Sequence, residues 1–202
     1  MARGSTPLAT ATVVIVISRE TYHRKAAGVF PIIWRIWRPR EGGSAAAGWL
    51  RSDDRLGADG TYEAWSVDLT KALAAGPHAV VLSAEYDSVY NGRAPFHEAY
   101  TLGGFFRLSG LPVDAKLGQH RALNRAAYYY RLQERAIFPI YFGASLEAGQ
   151  VWPGTEEIDL GDLDAAGSLF VGIDSPIGPV YLGAGMAKEG EGSLYIFLGQ
   201  PF

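Results

Sequence analysis

Apolar and polar residues alternate with a period of two along most of this chain, the spacing of strands that have one apolar face. From Thr61 to Leu73, Trp65, Val67, Leu69 and Leu73 share one parity against Ala64, Ser66, Asp68 and Thr70. Past the turn AAGPH, Val80, Leu82, Ala84 and Tyr86 alternate with Ser83, Glu85 and Asp87. The stretch RALNRAAYYYRL sets Ala122, Ala126, Tyr128, Tyr130 and Leu132 against Arg121, Arg125 and Arg131, and IFPIYFGASLEAG sets Phe138, Ile140, Phe142 and Leu146 against Tyr141, Ser145 and Glu147. Leu169, Val171 and Ile173 lead into DSPIGP, and Val180, Leu182, Ala184 and Met186 lead out. In the final GSLYIFLGQPF, Leu194, Ile196, Leu198 and Phe202 oppose Ser193, Tyr195, Phe197 and Gly199. An earlier strand from Ile32 to Arg38 completes a predicted set of eight.

The connections alternate in length. Pro39 to Gly60 is long, LAAGPH short, 91–118 very long, QERA short, Trp152 to Ala165 long, SPIG short and KEGEG moderate. Tight turns at one end and long loops at the other are the pattern of an outer-membrane barrel. The predicted fold is therefore all-β, a transmembrane antiparallel β-barrel with eight strands per chain. Charges facing lipid are costly, so the shared parity of Glu85, Asp87, Arg121, Arg125, Arg131 and Glu147 implies a wet or paired interior. Either these charges fill the interior as a ladder or they line a path for a substrate or ion.

Composition narrows the classes. Charged residues make up 19% of 202, glycine is abundant at 25, and the net charge of −3 supplies no basic surface for nucleic acid. No apolar run approaches the length of a membrane helix, the longest being VVIVI at Val13–Ile17. Cysteine is absent, which fits either redox compartment. The start MARGSTPLAT lacks the order of a signal peptide, so the expectation is either a mature chain or a protein that is not exported.

An ordered set of segments then points to one family: GVFP, LGADGTYE, YTLGGFFRLSGL, LEAGQVW, SPIGPVYLGAG and FLGQPF. From about Gly28 to Phe202 the chain resembles the C-terminal half of the barrel in the BamA-like superfamily, the bacterial surface antigen family. The closest resemblance is to the barrel of patatin-like phospholipase autotransporters. The resemblance implies an N-terminal segment over 1–25, of open placement, and a half-barrel over 26–202. It also implies a central loop folded inward, through Gly103, Gly104 and Arg107 to a tip at Leu108, Ser109, Gly110 and Leu111, with Glu147 in the position of a carboxylate on the barrel wall. The family's Arg-Gly-aromatic tip is absent, since Leu108-Ser109-Gly110-Leu111 stands there, and Ile32-Ile33-Trp34 departs from the family's sequence after the Phe-Pro turn. The final strand, through Leu194, Ile196, Leu198 and the terminal Phe202, would be both seam and assembly signal.

Sites of enzymatic chemistry do not emerge. Gly143-Ala-Ser145-Leu-Glu147 puts Glu where a nucleophile elbow needs its second Gly and lies within a strand. His23, His78, His97 and His120 lack metal-binding spacing, and Gly103-Gly104 has no strand-to-helix setting for a phosphate loop. The expectation is a non-enzymatic protein of the outer membrane of a Gram-negative bacterium, with no cofactor. Its partners would be the lipid bilayer and either the outer-membrane assembly machinery or client polypeptides.

Half a barrel raises the question of closure. An open sheet in hydrocarbon leaves two edges of unpaired backbone groups. An eight-stranded barrel is just filled by its own side chains and has no room for the segment 91–118. Two copies, each pairing its first strand with the other's last, would form one sixteen-stranded barrel of two-fold symmetry. The rival expectations are a small self-closed barrel or pore, and the membrane anchor or translocator of a patatin-like phospholipase. The run Val13–Ile17, apolar on both faces, fits a partial strand, an interface element or packing at the barrel mouth.

Overall fold

The computed structural model describes residues 13–17, 42–53, 60–132, 138–175, 178–188 and 190–199. Eleven strands follow in order: β1 (Val13–Ile17), β2 (Gly42–Ser52), β3 (Tyr62–Ala75), β4 (His78–Gly92), β5 (Tyr100–Leu102), β6 (Lys116–Gly118), β7 (His120–Arg131), β8 (Ile140–Trp152), β9 (Asp164–Ser175), β10 (Gly178–Ala187) and β11 (Gly192–Leu198). The main sheet runs β1-β11-β10-β9-β8-β7-β4-β3-β2, and β5 and β6 form a separate hairpin. Eight strands, β2 to β4 and β7 to β11, make one antiparallel sheet, and β1 adds to β11 in parallel, from Val13 opposite Leu194 to Ile17 opposite Leu198. The chain is all-β.

The turns explain the meander. Ala75 pairs with His78, which leaves Gly76-Pro77 as a two-residue loop with Gly76 at φ +60°, a conformation that hairpin turns of this length favour and glycine supplies without strain. Alternation then assigns two faces. Leu69, Leu82, Leu146, Leu169, Leu182, Met186 and Leu194 stand exposed on one, here called outer, and Leu146 and Leu169 are 73% and 71% exposed. The other, inner face carries Val81, Ala127, Tyr129, Phe170 and Tyr195, all buried. The residues that bury them come from the segment between β4 and β7.

One expectation changes. The stretch from Pro39 to Gly60, read as a long loop, contains β2, which pairs with β3 from Gly42 opposite Ala72 to Ser52 opposite Tyr62. Its sequence GGSAAAGWLRS is mostly small residues, so alternation is hard to read, whereas a ladder at a sheet edge needs only backbone. The strand expected at Ile32–Arg38 and the terminal Phe202 lie outside the described residues.

Candidate functional site

The long segment after β4 makes a 3-10 turn at Phe96–Glu98, forms the β5-β6 hairpin and, between those two strands, sends residues 103–111 across the inner face. Phe105, Phe106, Leu108 and Ser109 are buried there. Phe105 meets Phe170, Tyr181, Tyr195 and Phe197 at ring-centroid distances of 5.4 to 6.1 Å, and Phe106 lies 5.0 Å from Phe170. Such aromatic contacts add to the hydrophobic burial that holds the loop down.

Glycines on the wall admit the loop. A Cβ on Gly185 would lie 2.5 Å from Ser109 Cβ, and one on Gly183 would lie 2.8 Å from Phe105 Cε2, so neither position accepts a side chain without moving the loop. Phe106 and Leu108 hold φ of +61° and +72°, sparsely populated for bulky residues. Such conformations persist where the surroundings over-determine them.

The hydrogen bonds around the tip supply that determination. Ser109 donates its N–H to Glu147 Oε2 at 2.5 Å and its hydroxyl to Oε1 at 2.8 Å. Ser145 Oγ also donates to Oε1, at 2.5 Å, and lies 2.7 Å from Ser168 Oγ. The Gly110 N–H donates to Tyr195 Oη at 3.0 Å, the Tyr195 hydroxyl donates to the Leu111 carbonyl at 3.0 Å, and Ser193 Oγ donates to the Gly110 carbonyl at 2.9 Å. Arg125 Nη1 reaches the Phe106 carbonyl at 2.9 Å. The tip is thus bonded to β7, β8 and β11 and packed on β10, a staple across much of the sheet. Bonds to a charged acceptor are roughly twice as strong as neutral ones.

Beside the tip lies a charge cluster. Arg121 pairs with Asp87 at 2.5 Å and with Glu85 at 3.3 Å, Arg125 approaches Glu85 at 3.7 Å, and Arg107 approaches it at 4.0 Å while donating to the Thr101 carbonyl at 3.0 Å. Burial, then the neighbouring Arg121, lowers the pKa of Arg107 from its ordinary value, and Glu85 opposes them. An arginine starts so high that it stays charged. Arg107, Arg121 and Arg125 stand against Glu85, Asp87 and Glu147, and Asp68, the cross-strand partner of Glu85, adds a fourth carboxylate to that side. Arg131 is not in the cluster; it sits at the far end of β7, where its N–H bonds the Pro77 carbonyl.

The other sequence candidates are placed as follows. Gly103 and Gly104, at φ +132° and +102°, form the entry to the loop, where Gly103 N–H bonds the Arg107 carbonyl and Arg107 N–H bonds the Gly104 carbonyl. Leu194 and Ile196 lie exposed on the outer face of β11, and β1 runs along its backbone through Leu198. Ser145 is buried mid-strand in the Glu147 network, not raised on an elbow. Among the described residues, no group of three or more His, Asp or Glu is arranged to hold a metal ion.

Sequence reasoning missed three participants. Tyr195 and Ser193 fell on the inner parity of β11, but nothing in the pattern says that a hydroxyl there meets loop backbone. His120, which offered no metal-binding spacing, is the first residue of β7, 2% exposed, with Nδ1 2.8 Å from Ser88 Oγ and Nε2 3.2 Å from Thr155 Oγ1. Its cross-strand neighbour is Ser88, so the register, once known, would have paired them. No protein-family model matches this chain, and no curated protein matches it.

Proposed function

We propose that this chain is a non-enzymatic outer-membrane β-barrel unit that pairs with a second copy to close, and that it serves outer-membrane protein assembly or polypeptide translocation. One observation carries the membrane reading: the sheet turns large exposed apolar residues outward on strand after strand, while its buried charges lie on the opposite face beneath a bonded loop. In water such a broad apolar surface is a liability, whereas against lipid it is the expected exterior. The loop supports the larger barrel, because the interior of a closed eight-stranded barrel is already filled by wall side chains.

A second reading has its own observation. β1 lies on the free edge of β11 in parallel. A meander with an odd number of strands that closes on itself must do so through one parallel pair, so β1 followed by eight antiparallel strands fits a self-closed single chain. In the two-chain reading β1 must leave that edge.

Native mass spectrometry of the folded protein in detergent, beside a heat-modifiability gel, separates the two. A heat-modifiable species of two chains supports the paired barrel, one of a single chain supports closure through β1, and no heat-modifiable species refutes the membrane reading. Cysteines introduced in pairs on β2 and β11 add a direct probe in a chain with no native cysteine. Intermolecular disulfides are expected between copies, and their absence removes the dimer.

A further inference from the structure

The outer face is not uniform. Below the row of Trp49 and Trp65, its strand positions are apolar, small or uncharged, with Lys71 as the one charged side chain among the described residues of that band. Lys71 makes no ion pair among the described residues. Its stem passes Gly43 on the neighbouring strand, where an added Cβ would sit 3.4 Å from Lys71 Cδ, in van der Waals contact. Beside it the surface sinks into a shallow trough of about 640 Å³, with Leu69, Leu82 and Leu146 around a floor that includes Ala126 and Asn124. Small residues on adjacent strands, Ala84, Asn124 and Ala148, are register partners, which accounts for the depression.

Position along the strand selects the occupant. Lys71 is five residues from the Gly76 turn, about 17 Å along the strand, or about 13 Å along the membrane normal for a tilt of about 40°. A lysine stem that reaches toward the turns brings its ammonium close to the headgroup level of the nearer leaflet, as such side chains do at membrane interfaces. An apolar trough with one cation on its rim is complementary to a two-part ligand, an acyl chain with an anionic head.

We propose that the trough beside Lys71 is a binding site for an anionic phospholipid of the leaflet on the short-turn side, with an acyl chain in the trough and the phosphate at Lys71 Nζ. The site rests on the membrane reading. The test is native mass spectrometry of heat-modifiable protein in micelles doped with phosphatidylglycerol or phosphatidylcholine. Wild type should retain phosphatidylglycerol preferentially. Lys71→Leu should weaken that retention about fivefold, the worth of one basic residue at an anionic surface, and erase the preference between heads. Ala126→Leu, which fills the trough and leaves the charge, should weaken retention of both lipids. Heat-modifiable wild type that retains neither lipid, or Lys71→Leu with unchanged preference, overturns the site and leaves the membrane reading standing. A wild type that is not heat-modifiable overturns both.

Discussion

Replacing Glu147 by leucine tests whether the loop is held by one carboxylate. The substitution keeps volume in the wall but removes the acceptor of two bonds from Ser109, at 2.5 and 2.8 Å, and one from Ser145. Each bond to a carboxylate contributes about 1.5–3 kcal/mol, and the Ser109 N–H would remain buried beside leucine without a partner. Allowing for relaxation of the tip, the loop should lose about 3 kcal/mol of local stability, an increase of about 150-fold in its opening constant. Hydrogen exchange over residues 104–111 reads this directly, with β9 and β10 as the reference for global opening. Glu147→Gln, which keeps one acceptor oxygen, should lie between the two, about tenfold above wild type. Protection of the tip unchanged within about threefold would refute the latch. So would an equal loss in β9 and β10, because the carboxylate would then support the whole sheet and not the loop in particular.

Other perturbations probe separate parts of the structure. Leu169→Arg acts at a position 71% exposed: in water it should change stability by less than about 0.5 kcal/mol, but facing lipid it should cost about 2–4 kcal/mol, measured as the urea midpoint of folding into bilayers. Gly185→Val should displace the tip, since a Cβ there already meets Ser109 Cβ at 2.5 Å, and limited proteolysis between 103 and 111 should accelerate at least tenfold. Tyr195→Phe removes two bonds to loop backbone while keeping the ring, and should lower loop stability by about 1–3 kcal/mol in the same exchange measurement. Arg121→Leu strands Asp87 in a buried setting, while Glu85 keeps Arg125 and Arg107, and should destabilise the fold by about 3–5 kcal/mol, with the double change Arg121→Leu, Asp87→Leu recovering part of it.

What the sequence determines by itself is periodic. A strand repeats every two residues, so a list of apolar positions assigns both strand and face, and Leu69, Leu82, Leu146, Leu169 and Leu182 were legible as one surface. The same parity places Glu85, Asp87, Arg121, Arg125 and Glu147 on the other. β2 escaped, because a run of Gly, Ser and Ala carries no contrast between faces. The tertiary structure decided which of the inner residues meet. Ser109 and Glu147 are 38 residues apart and Gly110 and Tyr195 are 85 apart, and a loop crossing a sheet has no period that would announce its partners. It also decided that β1 lies on β11: backbone pairing at an edge is nearly indifferent to side chain, so a run apolar on both faces can fit several edges, and only the assembled sheet shows which one it takes.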